Sequence, residues 1–404
     1  MTAAETQAAA SRTLRWRASF AATLSLAMGV GTFPGYAFGV LGPYLVQDFT
    51  LSKSQLGLLT TLFFGVGGVL SPAAGGLVDR LGGRRVLVAS FIVLALGVAG
   101  AAAAQTFGLL LAMTALAGLA LAVGTPVTNK LVAVHLPEGR RGVTIGVKQA
   151  GVQIGAFLTG ALLAPAAAAW GWRTALAASV AIPITGIAAS LRTVPHEPES
   201  APRVARRDRR PLPPSVMWLT AYGFLMGAGV AGVNAYLPLY AVEELGVSVQ
   251  LAGAVVALIG FVGIVSRVIW GGLAERGTGY IIPLLLMAAG AIVAMGLIVA
   301  STHLGPALLW PAALIFGATA VTWNAVGMLA IVTEAQAADA GRASGPVVLG
   351  FYVGFVPSPI LFGLIVDTTG SYQTAWTVTA LVFVLAAAEM ALWRHISAGR
   401  SVLP

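Results

Sequence analysis

Apolar residues arrive in this chain as twelve long runs, beginning near Ala18, Ser54, Val86, Phe107, Gly142, Trp172, Ser215, Leu251, Tyr280, Pro306, Gly341 and Gln373. Each continues for about 20 to 28 residues, which at a helical rise of about 1.5 Å per residue crosses a hydrocarbon layer about 30 Å thick. Runs such as Val86 to Ala104 are apolar on every face, unlike the short alternating segments of a membrane β-barrel. Hydrocarbon offers no water to backbone amides, so the segments must satisfy themselves as helices. Composition agrees: 58% of residues are hydrophobic and 9% charged, against about 25% charged in soluble domains. The fold class read from this is all-α integral membrane, with twelve transmembrane helices.

A net charge of +9 in a soluble protein would raise the question of nucleic acid. Placement answers it here. Threading twelve spans puts 18 of the 23 Lys and Arg residues on one face, leaves Lys53 and Arg173 on the other, and leaves Lys130, Lys148 and Arg267 inside spans. This positive-inside bias sets both termini in the cytoplasm, predicts a multi-pass protein of the inner (cytoplasmic) membrane and removes any need for a nucleic-acid partner. Arg12, Arg15 and Arg17 precede a first span too long for a secretory leader, so residues 1–17 read as an uncleaved cytoplasmic tail. The chain has no cysteine, hence no disulfide framework and no thiolate metal site. His135, His196, His303 and His395 fall at span ends or in loops, without a metal-spaced cluster, phosphate loop or nucleophile triad. No enzyme, metal or cofactor is expected.

The chain also repeats itself. Gly75-Gly76-Leu77-Val78-Asp79-Arg80 returns as Gly271-Gly272-Leu273-Ala274-Glu275-Arg276 at an offset of 271 − 75 = 196. Met28-Gly29 and Met226-Gly227 are 198 apart, Asn129 and Asn324 are 195 apart, and Thr174-Ala175 and Thr374-Ala375 are 200 apart. The one long break, 193–214, carries six prolines around Arg203, Arg206, Arg207, Arg209 and Arg210 and reads as a basic cytoplasmic linker with some attraction to anionic headgroups. It divides an N-terminal six-helix bundle (18–192) from a C-terminal one (215–393), followed by a tail (394–404). Two pseudo-symmetric bundles of six, each of two inverted triplets, are the plan of carriers that rock about a site near the midplane.

The stretch from Gly75 through Asp79-Arg80-Leu81-Gly82-Gly83-Arg84-Arg85 resembles the signature loop between the second and third helices of the major facilitator superfamily, with Gly83 where a basic residue is usual. The resemblance covers essentially the whole chain. Within that superfamily, Gly124-Thr125-Pro126-Val127-Thr128-Asn129-Lys130 followed by Gly146-Val147-Lys148-Gln149-Ala150-Gly151 is similar to the cyanate and nitroimidazole permease branch. The resemblance implies gating roles for Asp79, Arg80 and Arg84 and for their counterparts Glu275 and Arg276. Asp79 would face the positive N-terminus of the eleventh helix, near Gly341, and Glu275 that of the fifth, near Arg141 and Gly142. The plainer reading is a charge cluster that only orients the protein.

Cations inside spans cost about 2.5 to 3.5 kcal/mol each on insertion scales. Lys130 lies near a helix end and can snorkel outward. Lys148 and Arg267 each stand six residues inside their spans (148 − 142 and 273 − 267), on the fifth and eighth helices, which meet across the domain interface in the related fold. No acid lies deep in a span to neutralise them: Asp48, Asp367, Glu334 and Glu389 sit near predicted ends. A small organic or inorganic anion would supply the missing charge; the alternative is two cations satisfied by carbonyls, water and helix ends. Tyr36 and Asn234, 198 apart, together with Asn129, Trp323, Asn324 and Gln149, are the other candidate substrate-binding residues. Helix-to-helix hydrogen bonding is the rival account of each Asn, and Gly151 and Gly155, one turn apart, read as close-packing positions.

The reading is a monomeric secondary active transporter, moving a small anion by alternating access, with a proton or exchanged anion as coupling partner. The alternative is efflux of a neutral drug-like compound by a proton-coupled antiporter. The fifth helix has Gly151-Val152 where such antiporters carry Gly-Pro, which weighs against that alternative.

Overall fold

The computed structural model describes residues 3–137, 141–196, 212–273, 279–334 and 340–400, and among them it contains helices and no strand. The α-helices are α1 (Ala3–Val40), α2 (Gly42–Phe49), α3 (Lys53–Leu81), α4 (Gly83–Ala103), α5 (Phe107–His135) and α6 (Arg141–Leu158). They continue with α7 (Ala164–Trp170), α8 (Trp172–Ala178), α9 (Ala181–Thr193), α10 (Pro214–Glu243), α11 (Val249–Leu273) and α12 (Ile281–Leu304). The last are α13 (Leu309–Ala318), α14 (Trp323–Glu334), α15 (Ala340–Phe355), α16 (Ser358–Thr369) and α17 (Tyr372–Arg400). Among the described residues eleven spans are long and apolar enough to cross a membrane, and α1 with α2, joined through a 62° bend, is a twelfth when the bent pair is counted as one span. Pro43 at the second position of α2 suits that restart.

Several spans are broken rather than continuous. A π-helical turn, Thr159–Leu163, joins α6 to α7, and Pro357 caps the start of α16 after α15 ends at Phe355. Proline removes an amide donor and leaves a carbonyl open, and such breaks survive in hydrocarbon only where a neighbour fills the gap. The tenth span shows how. Between α13 and α14, the Ala318 carbonyl accepts from Trp270 Nε1 at 2.8 Å and the Val321 carbonyl from Arg267 Nη2 at 3.3 Å.

By proximity the chain divides into two units. One comprises Met1–Pro34, Val66–Gly155 and Arg173–Ala205; the other comprises Gly35–Gly65, Ala156–Trp172 and Arg206–Pro404. In the first, α1 and α6 approach backbone to backbone: a β-carbon on Gly29 would strike the Gly151 carbonyl, one on Gly151 the Ser25 carbonyl, and one on Gly155 the Gly29 carbonyl. In the second, α10 and α15 repeat the arrangement, with Gly227 against the Phe351 carbonyl, Gly350 against that of Thr220 and Gly354 against that of Phe224. The offsets, 227 − 29 = 198, 350 − 151 = 199 and 354 − 155 = 199, are those of the sequence repeat. Without a hydrophobic driving force between helices in lipid, small residues admitting close contact are what hold such pairs.

The second unit is centred on α10, whose Tyr222, Tyr236 and Tyr240 are 0% exposed. Buried hydroxyls need partners. Tyr222 donates to the Leu284 carbonyl at 2.7 Å, while Tyr240 lies 2.8 Å from Ser301 Oγ, tying α10 to α12.

Candidate substrate site

Lys148 lies in the first unit with 1% of its surface exposed. Its Nζ donates to Thr128 Oγ1 at 3.0 Å and to Asn129 Oδ1, both on α5. The Thr128 hydroxyl donates in turn to the Gly124 carbonyl at 2.8 Å. Among the described residues no carboxylate stands within ion-pair distance of this ammonium. A buried positive charge is thus held by neutral oxygens, while Asn129 itself is exposed. Gln149 is half-buried beside it, and Gln153 is buried one turn further on.

Arg267 lies in the second unit, half-buried on α11, with one guanidinium nitrogen bonded to the broken backbone at Val321. Tyr36 is within electrostatic range of it, and Tyr352 of Tyr36. Asn324, one turn beyond Val321, is half-buried, and its Oδ1 is a buried acceptor without a hydrogen-bond partner. Asn234 is half-buried on α10, with its backbone carbonyl abutting Gly39. Trp323 is 3% exposed, and its ring packs between Tyr222 and Phe351 with centroids 5.8 Å from each. In this state it is a core residue of the second unit. The second unit therefore gathers Tyr36, Arg267, Tyr352 and Asn324, while Lys148, Thr128 and Asn129 gather in the first.

Of the gating candidates, Asp79 ends α3 with its side chain 58% exposed and its Oδ1 3.3 Å from Lys130 Nζ. Lys130 also donates to the Val78 carbonyl at 2.8 Å, so it is drawn to the signature corner. Arg84 reaches His196 Nδ1 at 2.5 Å and the Leu191 carbonyl at 2.6 Å, and Arg80 is exposed. Glu275 and Arg276 lie outside the described residues, as do residues 197–211 of the basic linker.

Lys53 and Asp367, given no role by the sequence reading, prove to be engaged. Lys53 Nζ stands 2.6 Å from Glu243 Oε1, and Asp367 accepts the backbone amides of Lys53 and Ser54. The usable signal was local: Ser52-Lys53-Ser54-Gln55 has the spacing of a helix capping box.

The description "Major Facilitator Superfamily" fits residues 20–345 of this chain. The chain belongs to the major facilitator superfamily. It is a multi-pass membrane transporter of small solutes and not an enzyme. Among superfamily relatives, a probable nitrate/nitrite transporter, NarK2, of Mycobacterium tuberculosis is 29% identical over 88% of this chain and 91% of its own. A probable sulfoacetate transporter, SauU, of Cupriavidus necator is 24% identical over 84% and 85%. The fold also matches the crystal structure of a bacterial homolog of the human lysosomal transporter Spinster, with a TM-score of 0.75 at 16% identity, over 93% of this chain and 96% of that one. These relatives place the chain in the superfamily without marking the cyanate and nitroimidazole branch.

Proposed function

We propose that this superfamily member is a secondary active transporter for small organic or inorganic anions, working by alternating access in the inner membrane with both termini cytoplasmic. The observation that carries the reading is the Lys148 ammonium, buried to 1% exposure against a hydroxyl and an amide with no carboxylate beside it among the described residues. A charge retained inside a span at a cost of about 2.5 to 3.5 kcal/mol needs a reason. An arriving anion provides one, because bonds between charged partners are about twice as strong as neutral ones. In the first unit Asn129 and Gln149 are the candidate polar contacts, and in the second unit Arg267 is a second candidate cation with Tyr36, Asn234 and Asn324 as candidate polar groups. Relatives named for nitrate, nitrite and sulfoacetate support the anionic class.

The test is thermal unfolding of purified protein with nitrate, nitrite, cyanate, a set of carboxylates and sulfonates, and a nitroimidazole as the neutral comparator. A ligand that binds only the folded state at 100 times its Kd stabilises by about 2.7 kcal/mol. At least one anion should raise Tm in the parent and lose that effect in Lys148→Met. Stabilisation by the nitroimidazole alone would overturn the anionic reading.

A further inference from the structure

The amides that open α3 can be accounted for one by one. A helix leaves its first N–H groups without intrahelical partners. Ser52 N–H donates to Gln55 Oε1 at 2.9 Å and Gln55 N–H to Ser52 Oγ at 3.2 Å, a reciprocal cap. Leu56 N–H reaches the Ser52 carbonyl at 3.1 Å. The amides of Lys53 and Ser54 remain, and Asp367 takes both, its Oδ1 and Oδ2 accepting them at 2.8 Å each. This carboxylate belongs to the last turn of α16, where a negative charge faces that helix's own unpaired carbonyls and is disfavoured. The positive end of α3 compensates.

The surroundings lock the same two segments. Glu243 accepts from Lys53 Nζ at 2.6 Å through one oxygen and from the Tyr372 hydroxyl at 2.7 Å through the other. The Tyr236 hydroxyl faces the Lys53 and Pro359 carbonyls at 2.6 and 2.8 Å. Gly57 backs onto the Pro359 carbonyl and Gly363 onto that of Lys53, with no room for a β-carbon at either. One turn deeper, Thr61 donates to the Val356 carbonyl at 2.7 Å. The charged members are not sealed from water: Asp367 is exposed, and the Lys53 and Glu243 side chains keep 19% and 31% of their surface. Water can replace each of these bonds, and exposed ion pairs are individually weak. That combination suits a contact that must form and break.

We propose that Asp367 is a reversible cap on α3, engaged while the carrier is sealed at the Lys53 end and released when that end opens, with the Lys53 to Glu243 pair as the second half of the latch. The inference rests on the alternating-access reading above. Asp367 acts as a positioning residue, setting how the population divides between states and touching no substrate.

The chain has no cysteine, so a single Thr61→Cys reports opening without background. A membrane-impermeant maleimide is applied from the Lys53 face in sealed vesicles. Asp367→Asn, which can cap at most one of the two amides, should raise the labelling rate about fivefold to thirtyfold, and Glu243→Gln should move it the same way. Joining Thr61→Cys to Val356→Cys with a short thiol cross-linker should stop transport, and a cleavable linker should restore it. Labelling that stays at the parental rate in both carboxylate variants, when each remains monodisperse, would overturn the latch. So would full transport with the linker in place. If no anion is moved yet Asp367→Asn still opens the labelled face, the latch stands and the anion reading falls.

Discussion

Lys148 donates to Thr128 across 3.0 Å while Thr128 donates to the Gly124 carbonyl across 2.8 Å, so one hydroxyl relays a buried ammonium into the backbone of α5. The relay positions the charge without neutralising it. A purely structural lysine would be expected to have a carboxylate, since an uncompensated buried charge works against folding.

Lys148→Met should therefore leave the fold at least as stable as the parent, because an apolar side chain of similar length removes the desolvation cost while orphaning only an amide and a hydroxyl. Thermal unfolding without ligand checks this, with Tm expected to hold or rise by a few degrees. A fall of more than about 3 kcal/mol, the range for breaking a buried pair, would make Lys148 a structural residue.

Asp79→Ala is expected to slow transport about tenfold while leaving anion affinity within about twofold, as for a group that acts on conformational steps and not on the ligand. Its stability cost should stay below about 1 kcal/mol, because its ion pair with Lys130 is more than half exposed on the Asp79 side. Equilibrium binding and initial rates, measured on the same preparation, separate the two effects. Lost binding with unchanged rate would contradict the gating role.

The glycine seams make a contrast within one helix. Gly151→Val and its repeat counterpart Gly350→Val would each drive a side chain into a backbone carbonyl, of Ser25 and Thr220 respectively. Overpacking of this kind costs about 1 to 3 kcal/mol and more where only backbone can move. Gly146→Ala meets nothing within 4 Å and should behave as the parent. Yield and elution profile after detergent extraction distinguish these outcomes.

Twelve spans, their helical character and the two-fold repeat were legible because run length, apolarity on all faces and a near-constant offset are properties of the chain itself. Gly151 and Gly155 were legible as packing positions for the same reason, and they meet Ser25 and Gly29. The broken spans were not. Whether a helix can stop between Ala318 and Trp323 depends on donors some 50 residues away, Trp270 and Arg267, that take the freed carbonyls. Lys130 read as free to snorkel from a span end, whereas the fold gives it Asp79 and the Val78 carbonyl. For Lys148 no acid stands deep in a span to pair with it, and its partners are a hydroxyl and an amide one helix earlier. Asp367 looked peripheral because the amides it caps are 313 and 314 residues distant.

The most direct measurement is uptake of labelled nitrate and a carboxylate panel into proteoliposomes by the parent, Lys148→Met and Arg267→Met. The parent should move at least one anion saturably, and each variant should lose about 10- to 150-fold in kcat/KM, the equivalent of about 1.5 to 3 kcal/mol for a hydrogen bond to a charged group. Parental rates in either variant, or a parent that moves none of these anions, would contradict the account.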